Sequence, residues 1–117
     1  MIRNKGVQAK YTRTVAQIKG CPLCWRYNKK HENNADIFYE YGIMLMTCDF
    51  PYETIGLRKV ERHLMLVAKE CDPKQDIKTR MMIIAESLNP NSIIINYSHH
   101  ASVPDHYHIH LLYTTRH

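Results

Sequence analysis

The chain has 117 residues and a net charge of +5, with 44% apolar and 23% charged residues. That length supports one hydrophobic core rather than two, and the apolar share excludes wholesale disorder. No run of about 18 apolar residues is present, which excludes a membrane-spanning helix. The basic start Met1-Ile2-Arg3-Asn4-Lys5 is not followed by an apolar stretch, so it does not read as a secretion signal. Four cysteines are then expected to serve as thiolates or metal ligands in a reducing cytoplasm rather than as disulfides. The positive balance favours anionic partners, nucleotides or nucleic acid.

Residues 1–20 carry Arg3, Lys5, Lys10, Arg13 and Lys19 with few large apolar residues, and read as a basic, loosely attached arm, helical around 13–18. The remaining residues, 21–117, read as one domain. Residues 37–41 and 43–47 predict two strands about a tight turn at Gly42, and Phe50-Pro51-Tyr52 a loop. Residues 63–68 are a third strand candidate. A helix is predicted over 72–88: Asp72-Pro73 caps it, and Ile77, Met81, Ile84, Ala85 and Leu88 share one face. Asn89-Pro90-Asn91 stops it. The β-branched stretch 92–97 and residues 106–114 predict the last two strands. Strands around one good helix indicate an α+β domain on a mostly antiparallel sheet of about five strands.

Two stretches carry chemistry. In His106-Tyr107-His108-Ile109-His110-Leu111-Leu112, strand alternation puts the three histidines on one face, about 7 Å apart, and sends Tyr107, Ile109 and Leu111 into a core. Three imidazoles so arranged can converge on a polyanion or a metal. Cys21-Pro22-Leu23-Cys24 has the gap that lets two thiolates hold one Zn²⁺ from a tight turn, although it supplies only half of a structural zinc site. Redox-active thiols are the other reading. Cys48 reads as a buried apolar thiol.

The alternating histidines resemble the H-x-H-x-H-x-x signature of the histidine-triad (HIT) superfamily, and other segments agree in order. Ala101-Ser102-Val103-Pro104-Asp105 resembles the turn that leads a phosphate-binding loop into the triad. Asn96 matches an asparagine used near ribose and phosphate. Arg62-His63-Leu64-Met65-Leu66-Val67-Ala68-Lys69-Glu70-Cys71 resembles the family's G-H-x-L-V-I-P-K-x-H segment, and the C-P-x-C resembles the start of its zinc-containing members. The sequence departs from the pattern at Arg62 and Ala68, which replace glycine and proline. It also lacks a Pro-Arg after the triad.

The resemblance implies a nucleotide hydrolase or nucleotidyl transferase acting at an α-phosphate through a nucleotidyl-histidine. His108 would be the nucleophile and His110 the donor to the phosphate oxygens. Asn96, Ser102, Asp49 and His63 are the implied nucleotide-binding residues, with Phe38, Ile43 and Phe50 as apolar walls for the base. It also implies a structural zinc held by Cys21, Cys24, Cys71 and His106; a competing alignment makes His63 the third ligand. The expected substrate is a nucleotide or dinucleotide, the expected assembly a homodimer, and no membrane partner is expected. Two other functions stay open: a zinc-stabilised nucleic-acid-binding module, and a nucleotide-binding protein without turnover.

Overall fold

The structure, a computed structural model, describes residues 3–17, 37–48, 50–69, 72–95 and 106–115. Among the described residues, two α-helices, α1 (Lys5–Gln17) and α2 (Gln75–Ser87), accompany strands β1 (Ile37–Phe38), β2 (Met44–Thr47), β3 (Thr54–Ile55), β4 (Arg58–Val67), β5 (Ser92–Ile94) and β6 (His108–Thr114). Five strands form one antiparallel sheet in the order β1-β2-β4-β6-β5, and β3 hairpins onto the first residues of β4. The architecture is α+β, as expected. Among the described residues, no helix is long and apolar enough to cross a membrane.

Strand alternation gives the sheet two different faces. Ile43, Leu45, Leu64, Leu66, Ile109 and Leu111 point to one side and pack with Met81 and Ala85 of α2. Ile77, Ile84 and Leu88 line the same helix face, so the predicted apolar stripe is the one that docks. The helix begins three residues later than expected. Lys74 is its extended N-cap residue, while Asp72 instead reaches Lys78 Nζ (3.4 Å). At its other end Asn89 takes a left-handed conformation (φ 55°), and the Tyr113 hydroxyl donates to the Leu88 carbonyl (2.7 Å).

The other side of the sheet carries Met44, Met46, Met65 and Val67, packed with Cys48, and the histidines of β4 and β6. Cys48 is buried there, as its expected apolar role requires. A bulge in β4, between Val60 and Arg62, shapes this face. Regular alternation would send Val60 and His63, three residues apart, to opposite sides. The extra residue brings both to the same one, where Val60 packs with Tyr52 and Leu112.

Four expectations need correction. The third strand starts at Arg58 rather than at residue 63, because it pairs with β3 through a hairpin at Gly56 and Leu57. The last strand starts at His108, with His106 in a bend before it. Helix α1 spans 13 residues from Lys5, well ahead of residue 13. The strand over 37–41 is cut to two residues, since Tyr41 (φ 62°) and Gly42 (φ 74°) both turn left-handed. A Cβ on Gly42 would also lie 2.7 Å from the Cβ of Lys69, so glycine is needed there twice over.

Candidate active site

The two central strands, β4 and β6, deliver the histidines. Their register pairs Val67 with His108, Met65 with His110 and His63 with Leu112, which sets His63 diagonally across from His110. His63, His106 and His110 are each 2% exposed and His108 is 5%, so His108 is the most accessible of four buried imidazoles.

Hydrogen-bond partners assign each ring's tautomer, because a backbone N–H only donates and a carbonyl only accepts. The Tyr52 backbone N–H donates to Nδ1 of His63 (3.1 Å), so the proton of His63 sits on Nε2. That Nε2–H donates to Nδ1 of His110 (2.8 Å), which places the proton of His110 on its own Nε2. The Nε2–H of His110 is buried and has no hydrogen-bond partner among the described residues. His108 runs the other way. Its Nδ1–H donates to the His106 carbonyl (2.8 Å), leaving the lone pair on Nε2. The His108 and His110 rings meet edge to face with centroids 4.8 Å apart. An imidazole with its lone pair on Nε2 thus lies one ring contact from a buried donor that has no acceptor among the described residues. An incoming oxyanion can satisfy that donor.

Burial keeps these rings neutral. It is the main cause that lowers His63 to about 4, helped by the charges of Arg3 and His108. His110 is lowered to about 2 by burial first, then by His108, His63 and Arg3. His108 is also lowered by burial, opposed by its bond to the His106 carbonyl. A neutral imidazole is the form that can attack phosphorus.

His106 faces a different task. Its Nε2–H donates to the Ala68 carbonyl (2.6 Å), so only Nδ1 can serve as a metal-ligating atom. Among the described residues, no group of three or more His, Cys, Asp or Glu side chains is placed to hold a metal ion. Cys21, Cys24 and Cys71, the other expected zinc ligands, lie outside the described residues, as do Asp49, Asn96 and Ser102.

Some expected site residues fall elsewhere. Ile43 packs on the α2 side of the sheet, away from the histidines, and cannot wall a base beside them. His63 belongs with the histidines, but its two ring nitrogens engage Tyr52 and His110. Neither ring nitrogen is left for the third metal-ligand role that the competing alignment gave it.

Two residues without any sequence signal join the site. The Tyr52 ring stacks on His63 (4.7 Å, 26°) and tilts against His110 (5.6 Å). Arg3 lies over the far side of that stack, its guanidinium 4.6 Å from the Tyr52 ring centroid and its Nε donating to the Phe50 carbonyl (2.6 Å). Nothing local marks either residue, because the contacts that bring them to the site span 11 to 58 positions. Against known proteins, no family model and no curated protein matches the chain. A solved structure described as "Crystal Structure of HTC1" is similar at 16% identity with a TM-score of 0.57, covering 98% of this chain and 76% of that one, a likeness of fold alone.

Proposed function

We propose that this chain is a HIT-type nucleotide hydrolase or nucleotidyl transferase in which His108 is the nucleophile. One observation carries the reading: His108, with its lone pair on Nε2, meets edge to face the ring of His110 (centroids 4.8 Å apart), whose buried Nε2–H has no partner among the described residues. In the reaction, His108 Nε2 forms a bond to the α-phosphorus as the bond from phosphorus to the leaving group breaks. The His110 Nε2–H donates to a non-bridging phosphate oxygen and stabilises the charge that builds there. Water, or another acceptor, then attacks phosphorus and releases His108.

His63 acts behind this pair. It holds His110 in the tautomer that presents Nε2–H, which is a positioning role rather than contact with the nucleotide. Asn96, Ser102 and Asp49 remain the proposed contacts to ribose and phosphate. The proposed zinc, on Cys21, Cys24, Cys71 and Nδ1 of His106, would be structural. It would fasten the bend before β6 to the chain following β4. The bond from His106 to Ala68, three residues before Cys71, supports that set. A homodimer and a cytoplasmic setting complete the proposal.

The test is a substrate panel of dinucleoside polyphosphates, nucleoside phosphoramidates and nucleotidylated compounds, with products read by mass spectrometry. Release of a nucleoside monophosphate from at least one class is expected. Binding of nucleotides without any product would leave a silent nucleotide-binding protein. Salt-sensitive binding of DNA or RNA unaffected by His108→Ala would favour the nucleic-acid module.

A further inference from the structure

Tyr52 touches both members of the hydrogen-bonded histidine pair, and the chain on either side of it is pinned to β4. The Cys48 N–H donates to the His63 carbonyl (2.9 Å), and the Val60 N–H donates to the Glu53 carbonyl (2.9 Å). Between those anchors, the Tyr52 N–H donates to Nδ1 of His63 (3.1 Å). The Tyr52 ring is buried against Val60 and Leu112, on the side to which the β4 bulge turns Val60 and His63. Backbone bonds and packing together leave this ring little room to move.

His63 is bound at both ring nitrogens, by the Tyr52 N–H at Nδ1 and by His110 at Nε2 (2.8 Å). Such bonds fix the direction of the ring edge, but their broad angular preference tolerates tilt about the line joining the two nitrogens. The Tyr52 ring covers a face of His63, with centroids 4.7 Å apart and planes 26° from parallel. A stacked contact resists that tilt. The same ring meets His110 at 5.6 Å and 39°. One rigid aromatic ring thus braces both imidazoles, including the one whose Nε2–H has no acceptor among the described residues.

We infer that Tyr52 is a positioning residue of this site: its ring holds His63 against tilt and so fixes the direction in which His110 presents Nε2–H. In this role it acts through the histidines and does not touch the reacting atoms. The consequence for turnover rests on the function proposed above, whereas the orientation of His110 does not. A donor aimed at a transition-state oxygen is sensitive to small displacements, and a shift of about 1 Å costs up to about a hundredfold in rate.

The full-length chain tests this with two readouts, imidazole ¹⁵N resonances without substrate and steady-state kinetics on the best substrate of the panel. Tyr52→Leu and Tyr52→Met remove the ring and keep an apolar filler; Tyr52→Phe keeps the ring; Leu66→Ala, on the opposite face, is the control for lost stability. The Nδ1 resonance of His110, displaced by its hydrogen bond from His63, should move toward the free-imidazole position in Tyr52→Leu and Tyr52→Met. It should stay in place in Tyr52→Phe and Leu66→Ala. In turnover, Tyr52→Leu and Tyr52→Met should lower kcat about 10–100-fold with KM within about threefold, and Tyr52→Phe should stay within about threefold of the parent. A folded Tyr52→Leu or Tyr52→Met with parental kcat and a parental His110 resonance overturns the inference. Damage by Tyr52→Phe equal to that of Tyr52→Leu overturns it too, because the ring would not be the cause. If the parent turns over nothing in the panel, the function proposed above fails, and Tyr52 is still judged on the resonances.

Discussion

The two faces of the sheet are made by the same strands yet are built on different physics. On the α2 side, Leu64, Leu66, Ile109 and Leu111 are aliphatic and buried, and their worth is the apolar area they remove from water. On the other side, the alternate residues of β4 and β6 are His63, Met65, His108 and His110. Those histidines are nearly as deeply buried as the leucines, but their polar nitrogens need partners, and the Nε2–H of His110 has none among the described residues. One face is optimised for stability. The other gives some up, because a buried donor without a partner costs free energy.

The largest separation between the faces should come from paired substitutions. His108→Ala is expected to lower turnover at least about a thousandfold while leaving nucleotide affinity nearly unchanged, and to lose less stability than a buried leucine does, because burying the neutral imidazole already carries a desolvation cost. Leu66→Ala or Ile109→Ala, one strand apart on the opposite face, should cost about 3 kcal/mol in denaturant titrations through cavity formation, with the remaining folded fraction fully active. If His108→Ala destabilises as much as Leu66→Ala, the division of labour is wrong.

Acid should break the histidine face first. Unfolded histidines take up protons near pH 6.5. Folded His63 resists protonation down to about 4, and burial lowers His106, His108 and His110 as well. Between those values the unfolded chain binds more protons than the folded one. Stability is thus present in full above pH 6.5 and is lost as pH falls toward 4. The loss traceable to His63 is on the order of 3 kcal/mol, and His63→Gln should flatten the decline in urea titrations across that window. An unchanged slope would mean that His63 is not buried in its neutral form.

The turn at Gly42 lies away from both faces, and its effect should be smaller. Gly42→Ala should cost about 1–2 kcal/mol from its left-handed backbone and the approach of Lys69, and should leave turnover per folded molecule unchanged. A loss of activity with no loss of stability would tie this turn to the site.

What the sequence revealed tracks how local each signal is. The histidine alternation and the stripe of α2 depend on residues two to four apart, and both lead to the observed faces. The β3–β4 hairpin was not legible, because Arg58, Lys59, Glu61 and Arg62 are exposed and the bulge breaks the alternation. The extent of α1 was missed because its basic residues read as a solvated arm, although Val7, Tyr11 and Val15 recur every four positions. Tyr52 and Arg3 owe their place to partners distant in the chain, and the His63–His110 bond spans 47 residues. The tautomers of His63 and His110 follow from those distant partners, whereas that of His108 is set by the His106 carbonyl two residues away.

A covalent nucleotidyl-histidine is visible in the mass of the protein during turnover. The parent, mixed with its best substrate from the panel and quenched without acid within milliseconds to seconds, should gain the mass of one nucleoside monophosphate minus water. Fragmentation should locate that group on His108, and His108→Ala should show no such gain. An adduct on another residue, or steady turnover by His108→Ala at the parental rate, would contradict the account.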